Sequence, residues 1–212
     1  MIVSAASVPN PPMLFPGMTG GLVAEVEELR HACLTAISRM LAAGPELVVI
    51  VGAARPGEFG NPLSVTVGQT LLNTAGCALV VEPIIIPIAA GSSDCNSAGR
   101  GIASRPERIG LLVMADGSAR RGLKAPGYLD ERAAGFDSAL TGALELCDWA
   151  SVAATDLQLA EDLLAAGVQA WQVMAGALAE TSATSGNQPA VASHYQNDPF
   201  GVWYPVLSYQ FS

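Results

Sequence analysis

Apolar residues run almost unbroken through Ile2 to Val8, Leu47 to Val51 and Ile109 to Met114, with a further apolar stretch over Ala78 to Ile88. Short β-branched runs of this kind, bounded by glycine and proline, predict strands covered on both faces. Between Leu22 and Leu41 the pattern changes. Leu22, Val26, Leu29, Cys33, Ile37 and Met40 recur every three or four positions, the spacing of one helical face, and Gly44-Pro45 ends the helix. Further helices are predicted over Leu63 to Thr74, Leu129 to Cys147 and Thr155 to Ala166, the last with Thr155 or Asp156 as its N-cap. Gly91 to Arg100 reads as a polar loop, Ala170 to Ala179 as a further segment, and Thr181 to Gln188 as a low-complexity patch. Ala190 to Phe211 reads as a hairpin turning at Asn197-Asp198-Pro199, with Pro205 implying an edge position or a bulge.

This alternation predicts an α/β protein: a single three-layer αβα domain over residues 1–212, with a mixed, mostly parallel central sheet and a C-terminal hairpin. Ligands are then expected in the loops beyond the carboxyl ends of the strands, which are Pro9 to Gly21, Gly52 to Asn61 and Asp116 to Gly127.

Charge narrows the partners. With 19 acidic and 10 basic side chains the net charge is −9, which opposes any electrostatic grip on nucleic acid or on an anionic membrane. The N-terminal Met1-Ile2-Val3-Ser4 carries no basic segment, and the stretch Ala78 to Ala90 is interrupted by Glu82, Pro83 and Pro87. Neither a signal peptide nor a membrane span is expected, and a cytoplasmic location is. Cys33, Cys77, Cys95 and Cys147 form no Cys-x-x-Cys pair and read as small buried hydrophobes, except that Cys95, in the polar loop, is a candidate exposed thiol.

Three segments carry a resemblance. They are Val8-Pro9-Asn10-Pro11-Pro12-Met13-Leu14, the run Leu111 to Tyr128 containing Asp116-Gly117-Ser118, and Tyr195 to Tyr204 containing Pro199-Phe200-Gly201. Together they resemble the LigB-type class III extradiol ring-cleavage dioxygenases and the wider LigB-like superfamily, which includes the Memo proteins. The resemblance implies a site where two histidines and one glutamate hold Fe(II), with another histidine handling protons. Here the first histidine position holds Asn10, and the loop after the second strand reads Gly52-Ala53-Ala54-Arg55-Pro56. The glutamate position falls on Gln196 or Asn197, and the acid/base position on Ala119.

A count that needs no alignment points the same way. The chain has only two histidines. His31 lies opposite the apolar face of its helix, and His194 sits three residues before Asn197 in the terminal hairpin. Neutral amides cannot supply the charge that holds Fe(II), so no cofactor is expected; Asp198 or Glu58 is the carboxylate that a rebuilt site for Fe(II) or another divalent metal would need.

What remains is a small-molecule cleft. Arg120, Arg121 and Lys124 fall within five positions, and with Arg55 they suggest a site for a small anion, against the plainer reading of a surface turn paired to Asp130, Glu131 or Asp137. Asn10, Asp116, Ser118, Gln196 and Asn197 complete the candidate ligand-binding set, and Asp116, Ser118 and His194 are the candidate catalytic residues. Two functions follow: a LigB-like scaffold without iron chemistry that binds a small ligand or a protein partner, or an enzyme with a rebuilt metal site. A homo-oligomer is expected from the superfamily and from the apolar C-terminal strand, whose edge would pair with another subunit.

Overall fold

The computed structural model describes residues 1–18, 23–54 and 60–211. Six strands form one sheet: β1 (Ile2–Val8), β2 (Leu47–Ala54), β3 (Val80–Pro87), β4 (Ile109–Met114), β5 (Ala190–Asn197) and β6 (Tyr204–Gln210), in the spatial order β3-β2-β4-β1-β6-β5. The first four strands in this order are parallel, while β6 runs antiparallel to both β1 and β5, so the chain ends in a hairpin docked on a parallel sheet. This is the α/β architecture that the pattern predicts.

Helices cover both faces. The helices α1 (Ala24–Ala42) and α2 (Leu63–Thr74) pack on one side. The other side carries α3 (Ser92–Ala103), α4 (Arg132–Glu145), α5 (Trp149–Ala153), α6 (Leu157–Asp162) and α7 (Val168–Ser185). Strand residues alternate between the two layers: in β4, Leu111 and Val113 face α7 and its neighbours, while Leu112 and Met114 face α1 and α2. Two faces to bury explain why β2 and β4 are continuous apolar runs rather than alternating ones. The two serines of β1 fit because each is satisfied: Ser4 Oγ donates to the Met40 carbonyl at 2.7 Å, and Ser7 Oγ accepts from Trp171 Nε1 at 2.7 Å.

Several expectations are corrected. Gly91 to Arg100 is not a loop, because Ser92–Ala103 is α3, and Cys95 is fully buried rather than exposed. The segment from Ala170 to Ala179 belongs to the longer α7, whose residues from Val168 to Leu178 are all buried, so it shows no polar face to mark it as a surface helix. The low-complexity patch is split, with Thr181 to Ser185 inside α7. The helix expected over Thr155 to Ala166 is the short α6, with α5 preceding it; Asp156 is its N-cap, accepting from the Gln158 and Leu159 amides at 2.9 and 3.1 Å. Pro205 is not at a bulge; although β6 is interior, this residue holds the expected edge position, unpaired on its β1 side. It precedes the part of β6 that pairs with β1, which begins at Leu207, and the register shift is in β5 between Ser193 and Tyr195. The apolar C-terminal strand is interior, so the edge by which it would pair with another subunit is already occupied by β5.

The connections fix where a ligand can enter. After β1 and β2 the chain leaves toward α1 and α2, whereas after β3 and β4 it leaves toward α3 and α4 on the opposite face. Since β4 lies between β1 and β2, the chain departs in opposite directions from neighbouring strands at this point. A crevice opens at such a switch point, outside the carboxyl ends of the strands.

Candidate functional site at the sheet switch point

The crevice is a cavity of about 350 Å³. Its floor and walls come from the ends of β1 (Asn10, Pro11, Pro12), β2 (Ala53, Ala54) and β4 (Asp116, Ala119), with Ser64 from α2, Leu164 and Ala166 from the α6–α7 connection, and Val202 and Tyr204 from the hairpin. Proline after β1 has a local role. Pro12 opens a short 3-10 turn, Pro12–Leu14, at a position where a missing N–H costs nothing, and this bends the chain across the strand ends.

Asp116 is the ionisable centre of the cavity. Its Oδ1 accepts the Asn10 backbone N–H at 2.8 Å, tying the loop after β1 to the loop after β4. Burial pushes its carboxyl from 3.8 up to about 6, and the Asn10 amide offsets only part of that rise. Its neighbours stay neutral. Burial raises the Tyr204 hydroxyl and the Cys33 thiol, and the nearby Asp116 charge raises both further. A carboxyl that changes charge near pH 6 inside a cleft can accept a hydrogen bond, receive a proton or hold a cation.

Ser118 plays another part. It is fully buried and donates through both its backbone N–H (2.8 Å) and its Oγ (2.5 Å) to the buried Asp137 carboxylate of α4. Gly117 permits this approach, because a Cβ there would lie 2.8 Å from Asp137 Oδ1 and 2.7 Å from Trp203 Cδ1. Burial raises the Asp137 carboxyl, while the Ser118 hydrogen bonds and the Arg121 charge hold it down. Ser118 is thus the anchor of the turn that presents Asp116, not a nucleophile in the cavity.

The basic cluster disperses. Arg121 pairs with Asp198 at 2.8 Å, approaches Asp137 at 3.8 Å, and stacks its guanidinium 4.8 Å from the Trp203 ring centre. Arg120 donates to the Gly127 carbonyl at 2.6 Å, and Lys124 is exposed. None of the three lines the cavity, so the structure does not build the expected anion site from them; the turn is held by its own ion pairs instead. Arg55 and Glu58 lie outside the described residues. Replacing Arg121 by lysine removes the planar stack and the Nε contact while keeping the charge. We expect a stability loss of about 1 kcal/mol in urea unfolding, since an ammonium cannot reproduce either interaction.

The hairpin residues also point elsewhere. Gln196 donates to Glu145 and, at 2.8 Å, to Ser193 Oγ, and it borders a separate surface groove with Arg121 and Trp203. Asn197 Oδ1 accepts the Asp198 N–H at 2.9 Å, capping the turn. His194 sits within 2.8 Å of Ser208 Oγ, where burial and Arg39 lower its affinity for a proton. His31 is exposed, and neither histidine lines the cavity. Of the candidate residues, Asn10 and Asp116 converge on the cavity. Tyr204, which reads from the sequence as a core or interface aromatic, and Ser64 also line it; their sequence signal as site residues is their place, at the start of a strand and of a helix beside the switch-point loops.

Among the described residues, no three His, Cys, Asp or Glu side chains are placed together to hold a metal ion. The described side-chain donors at the cavity are one carboxyl, an amide and two hydroxyls, a set that does not fit Fe(II).

Comparison with known proteins adds the fold alone. No family model matches the chain, and no curated protein matches it. The uncharacterized protein JW3007 from Escherichia coli K12, solved by crystallography, is similar over 99% of this chain and 100% of its own, with a TM-score of 0.52 and 11% identity. At that identity the likeness is one of architecture. Among the described residues, no helix is long and apolar enough to cross a membrane.

Proposed function

We propose that this chain is a divergent LigB-like protein whose switch-point cleft binds a small neutral or cationic molecule without iron-dependent ring cleavage. The observation that carries this reading is Asp116, a carboxyl set at the switch point with its pKa raised to about 6, in a cavity whose other described polar groups are poor metal ligands. Supporting it, three of the four positions at which the resemblance places chemistry meet there: Asn10, the Ala53-Ala54 exit of β2, and Ala119. None of these described residues is a histidine or a carboxylate: two positions hold alanine, and Asn10 offers only a neutral amide. The fourth, Gln196-Asn197, is turned to other partners.

A cytoplasmic setting accords with four free cysteines, two of them fully buried. The test is Fe(II) titration of protein purified without oxygen, followed by addition of protocatechuate. Weak, substoichiometric iron and no ring cleavage are expected. Tight binding of one Fe(II) with ring opening would overturn the proposal in favour of a dioxygenase with a rebuilt metal site.

A further inference from the structure

A second cavity, of about 870 Å³, adjoins the first and shares Ile88, Leu164 and Ala166 with it. It lies between the turn after β3 and the helix α6, and its surface is mainly apolar, from Ala89, Ala90, Leu157 and Ala160. The two spaces meet at these shared residues, and their linings are unlike. One holds the Asp116 carboxyl; the other is a hydrocarbon trough with Glu161 and two glutamines, Gln158 and Gln169, at its polar margin. Every charged side chain in the described lining is therefore a carboxylate. Gln169 is not free to turn inward, because its amide donates to the Ile88 carbonyl at 2.5 Å and holds the turn after β3 in place.

We propose that this cleft takes a linear amine, with its ammonium on Asp116 and its aliphatic body along Ala89, Ala90, Leu157 and Ala160. The inference deepens the ligand-binding reading above and rests on it. An ammonium is the head that the Asp116 carboxylate would select, since no cation stands in the described lining and a carboxylate or phosphate in the same place would face like charge there. The trough supplies the second element: methylene groups that leave water for an apolar wall strengthen binding with each carbon buried.

Calorimetric titration of the full chain with hexylamine, ethylamine and hexanoate tests both ends. Hexylamine should bind about tenfold or more tightly than hexanoate, the ratio expected of a charge-assisted hydrogen bond replaced by repulsion. It should also exceed ethylamine by about tenfold, from partial burial of four further methylenes. Asp116→Asn should weaken hexylamine about tenfold or more. Ala89→Trp, at an exposed turn position, should obstruct the trough and bring hexylamine down to the level of ethylamine. Hexanoate binding as well as hexylamine, or an unchanged affinity in Asp116→Asn, would overturn the ammonium head. An unchanged affinity in Ala89→Trp would overturn the trough, and no binding of either amine would overturn both. Should Asp116→Asn fold poorly, the comparison of hexylamine with hexanoate on the natural chain still decides. None of these outcomes depends on iron, so a positive Fe(II) titration would sink the functional reading separately.

Discussion

Gly99→Ala in α3 is expected to lower stability by about 1–3 kcal/mol, the usual range for forcing an extra methyl into a packed interior, and more if the helices cannot separate. A Cβ at Gly99 would lie 2.0 Å from the Val173 carbonyl oxygen and 2.7 Å from the Ala177 nitrogen, both backbone atoms of α7. The contact is reciprocal. A Cβ at Gly176 would lie 2.4 Å from the Asn96 carbonyl oxygen, so each glycine gives the other helix room. No rotamer change relieves either clash, because the obstacle is main chain. Gly101→Ala is the control: on the same helix, with nothing within 4 Å of the added methyl, it should raise stability by about 0.5–1 kcal/mol through helix propensity alone. Urea unfolding of the two variants and the natural chain gives the comparison. Stability in Gly99→Ala equal to that of Gly101→Ala would mean that α3 and α7 are not in backbone contact.

The same two glycines explain what was hard to read in the chain. The segment Ser92-Ser93-Asp94-Cys95-Asn96-Ser97-Ala98-Gly99-Arg100-Gly101 has weak intrinsic helix preference, and by composition it is a loop. It is helical because close docking on α7 outweighs propensity, burying Cys95, Gly99 and Ile102. By contrast, β1, β2, β4 and α1 were legible, since burial on both faces or on one face writes a regular period into the sequence. Their succession was enough to place the sheet and the loops that form the cleft.

The site was legible only in part, for a different reason. Asn10 and Asp116 directly follow the strands or come within two residues of their ends, so sheet topology alone delivers them to the switch point. Gln196 and Asn197 sit at the end of a long antiparallel strand, where a register shift after Ser193 decides which way each side chain points, and register cannot be read from one chain. The dense charge of Arg120, Arg121 and Lys124 was likewise ambiguous. Its meaning depended on Asp198 and the Gly127 carbonyl, partners set by tertiary packing.

Asp116→Asn is expected to flatten one component of the stability profile between pH 4 and 6. The native carboxyl holds its proton up to about 6 against an ordinary value of 3.8, so within that window the folded chain binds more proton than the unfolded one. Stability from this group is therefore complete below about pH 4, falls as pH rises, and is lost above about pH 6; the whole span corresponds to at most about 3 kcal/mol. An asparagine Oδ1 can still accept the Asn10 N–H, so the variant removes the charge while keeping the loop tie. Cys33 and Tyr204, the titratable groups beside Asp116, are held above this range and add nothing to the slope. Partly exposed carboxyls with lowered values, Glu82 and Asp130 among them, tilt the profile the other way in both proteins and cancel in the difference. Urea unfolding at pH 4, 5, 6 and 7 should thus show the variant gaining on the natural chain as pH rises and levelling beyond 6. A constant difference would mean that Asp116 is solvated like any surface carboxylate, and the cleft would lose the feature that suits it to a cationic guest: a charge that enclosure makes costly and that an ammonium would relieve.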